Sequence, residues 1–284
     1  MKLIKNIQTM RKLSKDSRLK GKTIAFVPTM GCLHSGHLSL IRKAVKDCDL
    51  CVLSIYVNPL QFGPKEDFNQ YPRNLKNDLV IAKHNKVDYV FAPDNHKMYP
   101  QDYLTSVSVD KITGLLCGLS RPGHFKGVAT VVNKLFNIVM PDIAYFGQKD
   151  FQQALIIKKM VQDLNIGIKI KILPIVREKD GLAMSSRNIY LSSSQRQDAI
   201  VVYRSLQAAR AKIISGEKNV DKLVKLMKNM IEQVKSAKID YLSIVDADDL
   251  SKKKEISGKV LIALAVFIGK IRLIDNIVLN KIYR

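Results

Sequence analysis

The 284-residue sequence predicts an α/β protein, a Rossmann-like parallel sheet followed by a smaller C-terminal α+β domain. Three observations carry this. Short apolar runs alternate with segments of helical apolar spacing up to about residue 176, and strands alternating with helices build a mostly parallel sheet covered on both faces. Polar, glycine-bearing segments follow those runs, at the carboxyl ends of strands where such sheets bind ligands. From about residue 177 the pattern changes to helices and then strands, which predicts domains 1–176 and 177–284.

The elements follow in order. TIAFVPTMG (23–31) is an apolar strand ending in a Pro/Gly turn, and GHLSLIRKAVKD (36–47) spaces Leu38, Ile41 and Val45 as one helix face. LCVLSIYV (50–57) is the next buried strand, and NPLQFGPKEDFNQYPRN supplies a long polar loop. A helix at 75–85 leads to a strand at 88–92. Helices at 127–139 and 151–164 bracket a strand at 143–147, and a strand at 168–176 closes the first domain. Helices near 194–214 and 219–235 and strands at 238–246, 259–267 and 271–275 make the second. The Lys-rich opening, residues 1–15, reads as a solvated amphipathic helix face.

Composition narrows the class. Hydrophobic residues make up 46% and charged residues 25%, which excludes collagen-like and disordered chains. A net charge of +22 favours anionic partners. The lysine-rich stretches lack any RNP or helix-turn-helix context, so solvated faces are the better reading. No run approaches a membrane span and the start lacks a signal-peptide h-region. Four cysteines, Cys32, Cys48, Cys51 and Cys117, form no disulfide framework, which predicts a reduced, cytoplasmic protein. Cys48 and Cys51 have C-x-x-C spacing without a second ligand pair, so burial explains them better than redox or zinc chemistry.

The residues able to carry chemistry cluster after strands. His34 and His37, three apart at a strand-to-helix junction with Gly31 and Gly36 beside them, can both face a ligand at the positive end of a helix, a setting that suits phosphates. Helix capping is the plainer reading of either alone. Lys149 and Asp150 follow the 143–147 strand, a cation for phosphate and an acceptor for ribose. Ser185, Ser186 and Arg187 offer hydroxyls and a guanidinium fork to a polyanion. Asp78 is a candidate magnesium contact. The sequence has no GxxxxGK[ST] loop, GxGxxG fingerprint, HExxH pair, GxSxG elbow or kinase set.

Taken together, VPTMGCLHSGH (27–37), YVNPLQFGPKEDFNQYPR (56–73), VFAPDNHKMYP (90–100), the run 121–153, DGLAMSSRN (180–188) and RLIDN (272–276) resemble the pantothenate synthetases, also called pantoate-beta-alanine ligases, across nearly the whole chain. The first segment is similar to their HxGH signature. The resemblance implies ATP-dependent activation of pantoate as an adenylate, followed by attack of beta-alanine to give pantothenate and AMP. ATP and Mg2+ would be required. It further implies that His34 and His37 meet the ATP phosphates, with His34 the leading candidate for stabilising adenylyl transfer. Lys149, Arg187 and Ser185 or Ser186 would hold the phosphate chain, Asp150 and Gly147 the ribose, and Thr29, Gly31, Val176 and Met184 would complete the nucleotide site. Gln61 and Gln153 would grip pantoate, Pro28 and Met30 would wall the sites apart, and Arg121 would help close them. A homodimer without nucleic-acid or membrane partners is implied as well.

Two competing functions follow from the same residues. An adenylyltransferase for a phosphorylated acceptor would share the HxGH junction, but the neutral Gln61 and Gln153 suit a short hydroxy acid better than a phosphate. A nucleic-acid module, motivated by charge, would bind strands in a salt-sensitive way without turning over ATP.

Overall fold

The computed structural model describes residues 1–64 and 66–280. They form two compact units, one of Met1–Thr113, Arg121–Gln148 and Gln152–Pro174, the other of Gly114–Ser120, Lys149–Phe151 and Ile175–Arg284. Two short segments that precede residue 175 in the chain are thus grouped with the second unit.

In chain order the elements up to the second unit's main body are β1 (Lys2–Ile4), α1 (Ile7–Leu19), β2 (Ile24–Thr29), α2 (Ser35–Asp47), β3 (Leu50–Ile55), a 3₁₀ turn (Pro59–Gln61), α3 (Leu75–His84), β4 (Tyr89–Phe91), the single-turn α4 (Asn95–Met98) and α5 (Cys117–Ser120), α6 (His124–Val139), β5 (Ile143–Gly147), α7 (Phe151–Asp163) and β6 (Lys169–Leu173). Six strands make one parallel sheet in the order β1-β4-β3-β2-β5-β6. From β2 the chain steps outward through β3 to β4, then returns to place β5 on the other side of β2 and steps on to β6. The direction of winding reverses between β2 and β5, and ligands of open α/β sheets bind outside the carboxyl ends of strands at such a point.

Alternation along the strands sorts the core. Ile24, Phe26, Leu50 and Val52 pack in one cluster with Met10 of α1, Val128 and Val132 of α6 and Ile157 of α7. Ala25, Val27, Cys51 and Leu53, their sequence neighbours, join Leu40, Ile41 and Ala44 of α2 and Ala82 of α3. Near-continuous apolar strands are what a sheet buried on both faces requires. The amino terminus differs from the single helical face its sequence predicts. Lys2–Ile4 pairs with Tyr89–Phe91 as an edge strand, and the helix starts only after Asn6, whose side chain accepts the Thr9 N–H.

The second unit carries α8 (Ser193–Asp198), α9 (Ile200–Ile214), α10 (Val220–Glu232), β7 (Ala237–Asp246), β8 (Val260–Ile268) and β9 (Ile271–Leu279). Its three strands are antiparallel, with β8 central. Leu264 and Val266 pack there with Leu206 of α9 and Leu223, Met227 and Ile231 of α10. Among the described residues no helix is long and apolar enough to cross a membrane.

Candidate active site

The loop after β2 is held from several sides. Thr29 Oγ1 donates to the Ser54 carbonyl at 2.7 Å and accepts the Gly31 N–H at 3.2 Å. Gly31 has φ +85°, and a Cβ there would lie 2.8 Å from Asp78 Oδ2 and 3.0 Å from Ile55 Cγ2, so glycine is required both for the left-handed backbone and for the close approach. Asp78 is 1% exposed. Its Oδ2 accepts the Cys32 N–H at 2.9 Å and its Oδ1 the Leu33 N–H at 2.8 Å. Burial pushes the Asp78 carboxyl up, opposed by those two donors. The carboxylate expected at a magnesium ion is thus directed at the backbone of the histidine loop.

His34 is the N-cap of α2. Its Nδ1 accepts the Gly36 N–H at 3.1 Å, and the His37 Nδ1 accepts the His34 N–H at 3.4 Å. The two rings stack with centroids 4.0 Å apart. An Nδ1 that accepts is unprotonated, so the neutral form of each ring carries its proton on Nε2. Capping and ligand chemistry are therefore compatible: one nitrogen fixes the helix start, and the other is a donor at the positive end of the α2 dipole.

Beside this loop, Gln61 closes the 3₁₀ turn after β3 and is 8% exposed. Gln61 Nε2 meets Met30 Sδ at 3.1 Å, and Gln61 Oε1 accepts from Asn58 Nδ2 at 3.2 Å. Asn58 Nδ2 also donates to the Gly127 carbonyl, while Asn58 Oδ1 accepts from Tyr99 OH at 2.8 Å. A hydroxyl donor on one side and a carbonyl acceptor on the other fix the Asn58 amide, and that in turn fixes Gln61 with its NH2 toward Met30. A Cβ at Gly127 would clash with the Leu60 carbonyl, so α6 rests directly on the backbone of this turn. Arg121 lies just before α6 and donates to Glu66 through Nε at 2.8 Å. Burial raises the Glu66 carboxyl, but the Arg121 guanidinium outweighs it and holds the group below its usual range. Pro28 lies in β2 opposite Ser54, Gly147 ends β5, and Gln153 is half-buried in the first turn of α7. Gln61 is thereby linked to Met30 and to the start of α6, while Gln153 stands outside that network.

Lys149, Asp150, Val176, Met184, Ser185, Ser186 and Arg187 belong to the second unit. The Met184 N–H donates to the Val176 carbonyl at 3.0 Å, and Arg177 bridges to Ala183, so residues 176–184 fold back as a short hairpin. Gly181 makes the turn with φ +97°, and a Cβ there would strike the Tyr203 ring. Ser185 caps the following 3₁₀ turn by accepting the Arg187 N–H at 3.3 Å. Asp275 and Asn276 anchor this unit. The Asp275 carboxylate takes a two-pronged bond from Arg177 (2.6 and 3.0 Å), and Asn276 Nδ2 donates to the Lys149 carbonyl at 2.9 Å. Burial pushes the Asp275 carboxyl up in spite of its arginine.

Pantoate-beta-alanine ligase is the family whose model matches residues 2–278. The chain belongs to that family. Similar proteins include the pantothenate synthetases of Caldicellulosiruptor saccharolyticus, 56% identical over 280 residues with 99% of this chain and 100% of the relative covered, and of Caldicellulosiruptor bescii, 54% identical with 99% of each covered. Among solved structures, pantothenate synthetase from Thermus thermophilus superposes with a TM-score of 0.93 at 39% identity, with 100% of both chains covered. Pantoate-beta-alanine ligase from Francisella tularensis, complexed with beta-gamma ATP and beta-alanine, gives 0.79 at 36% identity over 98% of this chain and 97% of that one. A pantoate-beta-alanine ligase uses ATP to join pantoate to beta-alanine through a pantoyl-adenylate, and this chain is an enzyme of that class.

Burial pushes the Cys51 thiol of the C-x-x-C pair up to about 12 and the Cys48 thiol upward as well, which disfavours the thiolate that redox or zinc chemistry needs. Asn58, Tyr99, Glu66 and His124 are the site neighbours that sequence reasoning missed. The NPLQFGPKED run contains two of them, but only the fold brings residues 58, 99 and 127 together.

Proposed function

We propose that adenylate formation takes place over the carboxyl ends of β2 and β5, with the histidine pair stabilising transfer at phosphorus. A pantoate carboxylate oxygen attacks the α-phosphorus of ATP and pyrophosphate leaves. The nucleophile is already ionised, so alignment and charge neutralisation are the demands. His34 and His37 meet them with Nε2–H donors; the carrying observation is that both Nδ1 atoms are tied to the loop backbone. Lys149 and Arg187, with Ser185 and Ser186, hold the phosphate chain, while Asp150 and Gly147 take the ribose. Thr29, Gly31, Val176 and Met184 complete the nucleotide contacts. Gln61 and Gln153 bind pantoate, and Pro28 and Met30 separate the two sites. In the second step the neutral beta-alanine amine attacks the activated carbonyl, the C–O bond to AMP breaks, and the nitrogen sheds its proton. Residues 1–176 serve as the ATP- and pantoate-binding domain and 177–284 as the lid that excludes water from the mixed anhydride.

Magnesium fits this donor set poorly as a protein-held ion. Both Asp78 oxygens already receive N–H groups, and no group of three His, Cys, Asp or Glu among the described residues is placed to hold a metal ion. We therefore assign Mg2+ to the nucleotide's own phosphates and Asp78 to positioning the histidine loop. The protein works in the cytoplasm as a homodimer with small-molecule substrates and neither nucleic-acid nor membrane partners.

Single-turnover adenylate formation tests the central role. His34→Ala lowers its rate on the order of 10²-fold with pantoate affinity retained; equal losses in both would remove the assignment.

A further inference from the structure

We infer that Glu66 and His124 are positioning residues for the pantoate site, holding Gln61 through Arg121 and the Gln61 carbonyl. The inference rests on Gln61 being a pantoate contact. Arg121 grips Glu66 with Nε to Oε1 (2.8 Å) and Nη2 to Oε2 (2.5 Å), and Nη2 reaches the Gln61 carbonyl at 3.2 Å. His124 Nδ1 meets the same carbonyl at 2.7 Å, and its Nε2 lies 3.1 Å from Arg121 Nη1.

The chemistry of these partners favours one arrangement. A carbonyl only accepts and a guanidinium only donates. In its neutral form the imidazole between them carries its proton on Nδ1, toward the Gln61 carbonyl, and accepts from Arg121 at Nε2. Of the roughly five guanidinium N–H groups, two are then committed to Glu66, one to Gln61 and one to His124. Such an arginine is poorly equipped to grip a substrate carboxylate as a fork. It is well equipped to fix a loop. The group joins Glu66 to the start of α6, through Arg121 and His124, and both Arg121 and His124 converge on the Gln61 carbonyl. On the far side, Asn58 and Met30 hold the Gln61 amide. Both ends of this residue are therefore fixed by groups that need not touch pantoate. A bidentate, partly buried arginine-carboxylate pair has the geometric specificity for that task; the two side chains are 14% and 25% exposed.

The test is a double-mutant cycle in the full-length enzyme, read as the KM for pantoate, the KM for ATP and kcat in pantoate-dependent pyrophosphate exchange. Glu66→Ala and Arg121→Ala each raise the pantoate KM about tenfold and leave the ATP KM and kcat within about twofold, and the double variant is no worse than the more affected single. His124→Gln, which keeps a donor toward the carbonyl, restores most of what His124→Leu loses. A large fall in kcat for Arg121→Ala with Glu66→Ala silent would place Arg121 on the substrate instead and overturn the proposal. So would strict additivity, or variants indistinguishable from wild type. Thermal melting of each variant separates loss of fold from loss of position, with Glu66→Gln as the mildest probe. Absence of pyrophosphate exchange in the wild-type enzyme would be a failure of the underlying function, seen before any variant is made.

Discussion

His34 and His37 each commit one ring nitrogen to the backbone of their own loop. Their three-residue spacing and the flanking glycines were legible as a phosphate-facing pair. Which nitrogen each commits was not, because that depends on the path of the loop backbone, which Asp78 sets from 45 and 46 residues away. Residue types alone made Asp78 a metal candidate; the fold buries it and gives each of its oxygens a backbone N–H, which is the basis of the clamp role proposed above. Asp78→Asn presents an NH2 where an N–H already points, an unmet buried donor costing about 1–3 kcal/mol. The expected result is a roughly tenfold slower adenylate formation with the Mg2+ concentration for half-maximal rate unchanged. A shift in that Mg2+ requirement would return Asp78 to the metal.

At the scale of elements, α6 and α2 are the two that hold the candidate residues in place. α6 comes close enough to the Pro59–Gln61 turn that Gly127 has no room for a side chain. Gly127→Ala must push the turn away, and a backbone neighbour cannot swing aside as a side chain would. The variant should lose pantoate affinity before ATP affinity, which separate titrations would show. α2 is tied at its other end. Asp47 receives Lys43 at 2.6 Å, Lys171 of β6 at 2.5 Å and the Tyr145 hydroxyl of β5 at 3.0 Å. Lys171 foremost, then Lys43, holds the Asp47 carboxyl far below the usual carboxylate range. A carboxyl depressed in the fold contributes stability that is present above its unfolded value, about 4, and is lost as pH falls. Between about pH 7 and pH 3 the wild type should therefore lose more in melting temperature than Asp47→Asn does. Most helices and strands could be read from apolar period, since long periodic segments state their own structure. The edge strand Lys2–Ile4 could not: its three residues carry no pattern, and only pairing with β4 makes them a strand. Nor could the break between α8 and α9, which one helix at 194–214 was expected to span.

For the whole molecule, the strand order decides where chemistry can happen. The alternation of strands and helices predicted a parallel sheet, but the reversal between β2 and β5 is a matter of topology, and local patterns do not encode which strands become neighbours. The candidate residues after β2 and those of the 176–187 segment read in the sequence as separate clusters, and only family resemblance assigns them to one site. The excess of 22 positive charges is larger than a nucleotide site needs. The homodimer expected of the chain predicts a sedimentation mass near twice 32.0 kDa; a mass of one chain at working concentration would reject it.

The most direct test of the adenylate mechanism is exchange of labelled pyrophosphate into ATP by the wild-type enzyme, with magnesium and pantoate present and beta-alanine absent. Exchange that requires pantoate is expected, followed by release of AMP and an amide when beta-alanine is added. Folded, nucleotide-bound protein that catalyses no such exchange would contradict the mechanism.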